Sequence, residues 1–381
     1  MSEHILRTVT GFILVVLLTL VGCGTSSPKV CNLSGSCCPG DAACPIQPGP
    51  QFLYATSSSG QVLSFEVDNS TGGLSSPASI PGPAMTLGLA ASGFQFLYVT
   101  DSLSAEIDGY SINPTSGTLS ALAGSPFSTG PLSFPVGLAA SSLSILYVTD
   151  AGRIDAYNVT TGMPSALASS PFSSGNGFAV VLSPSGKFLF ETNIDPPGGV
   201  FAFTVDGTGA LTEVQDSPFP IPGQTVANSR PLGMVTDPSG NFVFVALNAT
   251  NQVAAFSVDQ TTGALTPVPS SPFATGLSPT TLVVANTFLY AMNSGDQTIS
   301  AYTINSANGV LAPVNGSPFL AGATAGMATD SRFLRLYAAA PGINSIVAFT
   351  IGADGSLAPL GGSPFPATGA GLLTMVQMPG R

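Results

Sequence analysis

From Gln51 onward the chain alternates short apolar runs with turns rich in Gly, Pro, Asn and Asp. The stretch around Pro231 shows the pattern most plainly. Leu232 to Thr236 is a short apolar run, and Asp237-Pro238-Ser239-Gly240 reads as a tight turn. Phe242 to Leu247 is apolar throughout, as a strand buried on both faces requires. Val253 to Val258 alternates more, Asp259 to Gly263 is a hairpin turn, and Ala264 to Pro272 is a fourth strand broken by Pro267 and Pro269. Proline donates nothing to a ladder, so this fourth strand, D, belongs at the sheet edge, with A innermost and B and C between.

The pattern repeats. An aromatic inside the B-strand run recurs seven times, at Tyr54, Tyr98, Tyr147, Phe190, Phe244, Tyr290 and Tyr337. Ser-Pro-Phe recurs six times, beginning at Ser125, Ser170, Ser217, Ser271, Ser317 and Ser363, and reads as an apolar anchor between units. The intervals of 45, 47, 54, 46 and 46 residues have the period of propeller blades. Immunoglobulin-like sandwiches need about 100 residues each, twice what a unit has here. The prediction is an all-β, seven-bladed β-propeller of four-stranded antiparallel blades over residues 51–381. Gln51 begins at a B strand, and Gly371 to Gln377 is an A strand with no blade of its own. The C-terminal strand is therefore expected to join the N-terminal blade and close the ring.

The segment before the repeats differs. Val9 to Leu20 is almost wholly apolar, too short to span a bilayer core of ~30 Å, and suits the apolar region of a signal peptide. Leu20-Val21-Gly22-Cys23 resembles a bacterial lipobox, which implies a signal peptide over 1–22 and lipid on Cys23. Residues 23–50 form a Ser-, Pro- and Gly-rich tether with Cys31, Cys37, Cys38 and Cys44. In an exported chain these four read as two disulfides, with the pairing open and a metal knot as the alternative. The expected location is the cell envelope, at the outer membrane, facing the periplasm or the surface.

Charge and composition narrow the chemistry. Only 7% of residues are charged and the net charge is -11, which repels nucleic acid. The single histidine, His4, leaves with the signal peptide, so neither a Ser-His-Asp triad nor an imidazole metal ligand remains. No cofactor is expected, and a monomer is.

Tyr98-Val99-Thr100-Asp101 and Tyr147-Val148-Thr149-Asp150 are close to the YVTN repeats of bacterial and archaeal surface propellers. With the Pro-Ser-Gly turns at Pro184 and Pro238, the repeat resembles the seven-bladed lactonase family that includes 6-phosphogluconolactonase-like enzymes. The resemblance implies that active members carry an Arg-His pair opening an A strand and Asn-Glu closing the next B strand. In this chain those slots hold Leu232-Gly233 and Leu247-Asn248, and all four differ.

The B–C and D–A loops of a propeller share one face around the channel, where ligands are expected. Three residues after the B-strand aromatic stand Ser57, Asp101, Asp150, Asn193, Leu247, Asn293 and Ala340, with Glu106, Asp108, Glu191, Asp195, Asp296 and Arg230 nearby. Asp101, Asp150, Glu191 and Arg230 are the catalytic candidates. Asp101, Asp150, Asn193, Arg230 and Asn293 are the ligand-binding candidates. Asp101 and Asp150 lie in adjacent blades, so they are the pair that could share a proton. A rim of carboxylates and amides suits a sugar, a lactone or a hard cation such as Ca²⁺. The bland reading is that these residues cap the B–C turns. Two functions follow: a propeller that binds a small carbohydrate, a lactone or a protein partner, and a hydrolase acting on a sugar lactone. The membrane contact expected is through the lipid alone.

Overall fold

A computed structural model describes residues 49–130, 133–195, 198–222 and 229–378. Cys23, Cys31, Cys37, Cys38, Cys44 and the signal and tether segments lie outside the described residues.

Seven antiparallel sheets form the blades, each running A to D from the inside outward. Blade 5 follows the sequence reading closely, with A at Pro231–Thr236, B at Phe242–Leu247 and C at Gln252–Val258. Its D strand departs from that reading. It is cut into Leu265–Pro267 and Phe273–Ala274, both paired to C. Four other blades break D in the same way. The break falls where Pro269 and Pro272 have no N–H to give, and it would orphan an amide of strand C. The serine of Ser-Pro-Phe fills that gap. Ser271 Oγ accepts from the N–H of Ala255 at 2.9 Å, and Ser125, Ser170, Ser217, Ser317 and Ser363 make the equivalent bond. The six Ser-Pro bonds are cis. The tripeptide is therefore a polar staple within six of the seven blades as well as an apolar anchor.

Adjacent blades bury their facing strands against one another, so the core lies in the seams. In the seam between blades 5 and 6, Phe242, Phe244 and Val253 pack on Leu282, Leu289 and Tyr302. The B-strand aromatic adds a directional bond to this packing. Tyr54, Tyr98, Tyr147, Tyr290 and Tyr337 each donate their phenol to the carbonyl of a glycine in the C–D turn of the following blade, at 2.7–2.9 Å. Burial pushes all five phenols above their ordinary pKa, so they remain protonated donors. The accepting turn needs glycine. Gly209 has φ +87°, and a Cβ there would stand 2.7 Å from Ile145. Phe190 and Phe244 lack the hydroxyl, so the seams of blades 4–5 and 5–6 lack this bond; in the latter the Asn248 side-chain amide donates to the Pro279 carbonyl instead.

The ring closes as expected. Ala370–Gln377 pairs antiparallel with Gln51–Ser57 and supplies the A strand of blade 1. Blade 7 grips blade 1 further, through Tyr337 to Gly72, Arg335 Nη2 to the Ser70 carbonyl at 2.6 Å, and Ser331 to the Gln51 amide. Arg335 itself is buried and paired with Asp330 at 3.2 Å.

Two outcomes test this account. Tyr147→Phe should cost about 1 kcal/mol in urea unfolding, because the Gly209 carbonyl loses a buried donor. Deleting residues 369–381 should abolish the cooperative melting transition; a truncated chain that melts like the full one would refute closure by this strand.

Candidate functional site

The B–C and D–A loops meet around the mouth of the central channel. A cavity of about 440 Å³ opens there, with Thr56, Ser58, Met85, Phe178, Leu232, Thr280, Pro341 and Leu372 in its wall. Below it the channel narrows to about 230 Å³ between the A strands. A cleft of about 660 Å³ lies elsewhere, beside the C–D turn of blade 1, and is lined by Glu66, Asp68, Asn69 and Leu74. Among the described residues, no charged side chain lines the mouth or the channel.

The sequence-nominated residues lie around this space but do not line it. Asp101 accepts from the N–H groups of Leu103 (3.0 Å) and Ser104 (3.2 Å), which is the geometry of a turn cap. Across the strand pair it faces Glu106. Asp108 is pushed up to about 6, first by burial, then by the charges of Asp101 and Glu106. Asp150 is buried and saturated: it accepts from the N–H groups of Phe134 (2.6 Å) and Ala151 (2.7 Å), from Ser133 Oγ, and from Arg153 Nη2 at 2.9 Å. Arg153 also binds Asp155 at 3.1 Å. No hydrogen bond joins Asp101 to Asp150, and each is tied into its own local network.

The two asparagines are also held by local bonds, but differently. Asn193 Oδ1 accepts from the N–H of Asp195 at 3.0 Å, again a turn cap. Asn293 is fully buried and donates to Thr298 and Ser300, both at 2.9 Å. Arg230 is exposed, in the left-handed region (φ 44°), immediately before the A strand of blade 5. Its carbonyl accepts from the N–H of Asn248, and its guanidinium lines neither cavity. Among the described residues, no three His, Cys, Asp or Glu side chains are arranged to hold a metal ion.

Glu191 is the exception. It is fully buried, and neither carboxyl oxygen has a hydrogen-bond partner. Burial pushes its pKa well above the ordinary value, and the Ser174 hydroxyl, which donates to the Gly175 carbonyl, offsets this only in part. The slot explains the isolation. Residues directly after the B-strand aromatic are Ala55, Val99, Val148, Val245, Ala291 and Ala338 in the other blades. Glu191 is an acid in a position built for an apolar side chain. Its strand neighbours across the sheet are Val180 and Phe201.

The sheet registers also place the slots that the resemblance implies. The residue paired with the slot after the aromatic is Leu373, Leu89, Leu138, Val180, Met234, Leu282 or Met327 in blades 1 to 7. The two residues before it open the A strand onto the channel. Leu232 lines the mouth and Gly233 the channel. Equivalents of Leu232 are Gly371, Leu87, Val136, Phe178, Thr280 and Ala325. Equivalents of Gly233 are Leu372, Gly88, Gly137, Ala179, Thr281 and Gly326. None of these fourteen positions holds a charge or an imidazole, so the pair has not moved to another blade. Asn248, in the carboxylate slot, donates its amide to the Pro279 carbonyl at 3.2 Å.

Residues 139–276 match the family described as lactonase, 7-bladed beta-propeller. The chain is a seven-bladed β-propeller whose central blades match that family model. No curated protein matches its sequence. Among solved structures it is similar to a candidate 6-phosphogluconolactonase from Bacteroides uniformis, at 19% identity and TM-score 0.71, over 87% of this chain and 100% of that one. It is similar also to the periplasmic gluconolactonase PpgL of Pseudomonas aeruginosa, at 17% identity and TM-score 0.70, over 87% and 99%. At such identities the likeness is one of fold.

Glu191 gives the pH prediction. Its unfolded pKa is ordinary and its folded pKa is raised, so its contribution is intact below about pH 4.3 and is lost as pH rises toward the folded value. Between those limits the unfolded chain binds fewer protons than the folded one, so stability falls by up to about 1.4 kcal/mol per pH unit. Glu191→Gln should remove that slope in urea unfolding at pH 5, 6, 7 and 8, and Glu191→Val should raise stability at pH 8. Parallel curves for wild type and Glu191→Gln would contradict the assignment.

Proposed function

We propose that this protein is a lipid-anchored, exported binding propeller whose lactonase slots have been emptied of catalytic groups. One observation carries the reading: neither A-strand position that opens onto the channel holds a charged or imidazole side chain in any blade. Lactone hydrolysis needs a proton acceptor beside the attacked carbonyl and a cation or donor for the developing oxyanion. Leu232 and Gly233 can supply neither from their side chains.

What remains at the mouth suits a neutral ligand. Threonine and serine hydroxyls alternate with Met85, Phe178, Leu232 and Leu372 around a volume in the range of small-molecule pockets. A phosphorylated sugar would lose its hydration there with no cation to replace it. An uncharged carbohydrate, a neutral lactone or an apolar segment of a protein partner fits the lining. The lipobox-like Cys23 and the two-cysteine-pair tether support placement at the envelope.

The test is turnover. Purified protein should hydrolyse neither glucono-1,5-lactone nor 6-phosphogluconolactone above the spontaneous rate in a pH-stat assay. Saturable hydrolysis that disappears in Asp101→Asn or Arg230→Ala would establish the enzymatic reading instead. Separately, Cys23→Ala should abolish incorporation of labelled palmitate; label that persists would exclude lipidation at this residue.

A further inference from the structure

Glu191 lies at the mouth end of the seam between blades 3 and 4. Its partners across the sheet, Val180 and Phe201, pack with Tyr147 and Ile154 of blade 3. Above it runs the connection between those two blades, Ser174 to Phe178. Gly177 rests directly on the carboxyl, and a Cβ there would stand 2.0 Å from Glu191 Oε1. Gly175 approaches Asn193 in the same way, with a Cβ 2.3 Å from Oδ1. The cover over the acid is thin: Ser174, Gly175 and Asn176 are half-buried, and Gly177 adds no side chain. Phe178, the next residue, lines both the channel mouth and the channel.

This loop is lightly held. Gly177 pairs with Asn193, but the register shifts before Val180, so Phe178 and Ala179 stand outside the ladder. The Ala179 N–H goes to Thr192 Oγ at 2.9 Å instead. Beyond the ladder the loop is tied by the Ser174 N–H to the Gly152 carbonyl (3.2 Å), the Asn176 N–H to the Asp195 carboxylate (3.2 Å) and the Ile194 N–H to the Asn176 carbonyl (3.0 Å).

An ionised carboxylate needs a partner or water. Strands A and C of blade 4, Gly177–Leu182 and Gly199–Val205, carry no titratable side chain. From blade 3 only the Tyr147 phenol faces this seam, and it is committed to the Gly209 carbonyl. Asp150, Arg153, Asp155 and Tyr157 turn to the opposite seam, as their strand partner Val148 packs on Tyr98 and Ile107 of blade 2. Asp195, bound to the loop at Asn176, has the same charge as an ionised Glu191. Water is left as the stabiliser, and it reaches the carboxyl once the loop lifts.

We propose that Ser174 to Phe178 form a pH-operated gate in the wall of the channel mouth, shut over the neutral acid of Glu191 and lifted when that acid gives its proton to water. Lifting carries Phe178 out of its place in the wall, so the mouth changes shape as pH rises. The consequence for a ligand rests on the binding reading above; the loop movement does not.

Blade 6 supplies an internal comparison. The loop that enters it from blade 5 is built alike. The Thr275 hydroxyl donates to the Gly276 carbonyl at 2.8 Å, as Ser174 does to Gly175 at 3.2 Å. The Leu277 N–H donates to Asp296 at 2.9 Å, and the Ser294 N–H to the Ser278 carbonyl at 3.1 Å. Gly276 again lies against an asparagine, Asn293. Beneath this loop the slot of Glu191 holds Ala291, and the buried polar groups, Asn293 and Ser300, do not titrate.

Amide exchange read by mass spectrometry on the full chain at pH 5, 6, 7 and 8, corrected for the intrinsic rate at each pH, tests the gate. The covered acid titrates above its ordinary value and the uncovered one near it. Protection of residues 174–179 should therefore fall by up to about tenfold per pH unit between those values. The loop at 275–280 should keep constant protection. Glu191→Gln should make residues 174–179 as indifferent to pH as 275–280; Glu191→Val, which matches the sibling slots, takes its place if the amide variant does not fold. Protection at 174–179 that is flat in the wild type, that falls equally in either variant, or that falls together with 275–280 would overturn the gate. No ligand enters these measurements, so failure of the gate leaves the binding reading standing, and a mouth that binds nothing leaves the gate standing.

Discussion

Everything else in this molecule depends on the seam between neighbouring blades. A single four-stranded blade has two apolar faces and covers neither by itself, so each sheet is stable only when flanked by others. Packing in the seams supplies the bulk of the stabilisation, but apolar contact has no direction. The Tyr–Gly bonds give it one: each phenol reaches a carbonyl that only the following blade presents, at a turn whose left-handed glycine leaves room for it. The seventh seam is made between chain ends, with Ala370–Gln377 completing the first blade and the Arg335–Asp330 pair filling the position held by an apolar residue in other blades.

That scaffold separates architecture from chemistry. The repeated residues are spent on closing the ring and stapling the broken D strands. The carboxylates and amides that vary between copies are mostly spent as well. Asp101 and Asn193 cap turns, Asp150 is locked to Arg153, and Asn293 serves the Thr298–Ser300 pair. The channel mouth is left with hydroxyls and apolar groups. The fold is shared with solved gluconolactonase-type propellers, but a fold does not carry an activity with it.

Much of the fold was legible from local patterns. The aromatic and Ser-Pro-Phe tags fixed the number of blades, and the unpaired A strand at Gly371 to Gln377 foretold the closure. The partition of the candidate residues was less legible. Nothing local distinguishes Asp101, which caps its own turn, from Asp150, which is saturated by groups from Ser133 to Arg153. Glu191 had a readable signal that was missed: it occupies a slot filled by Ala or Val in all six sibling blades. The serine of Ser-Pro-Phe likewise looked like an adjunct to an apolar anchor, because the amide it serves lies on a neighbouring strand sixteen residues away.

The sequence by itself determined the period, the blade count and the strand order within a blade. These are properties of spacing and residue type, and strands of period two with Pro and Gly breaks write them locally. Only the tertiary structure decided which polar groups are consumed and which acid is stranded. Those depend on which groups the folded strands and loops bring together, as with Asp150 and the Phe134 N–H from the preceding loop or Tyr147 and Gly209 from the next blade, and no local pattern encodes the partner.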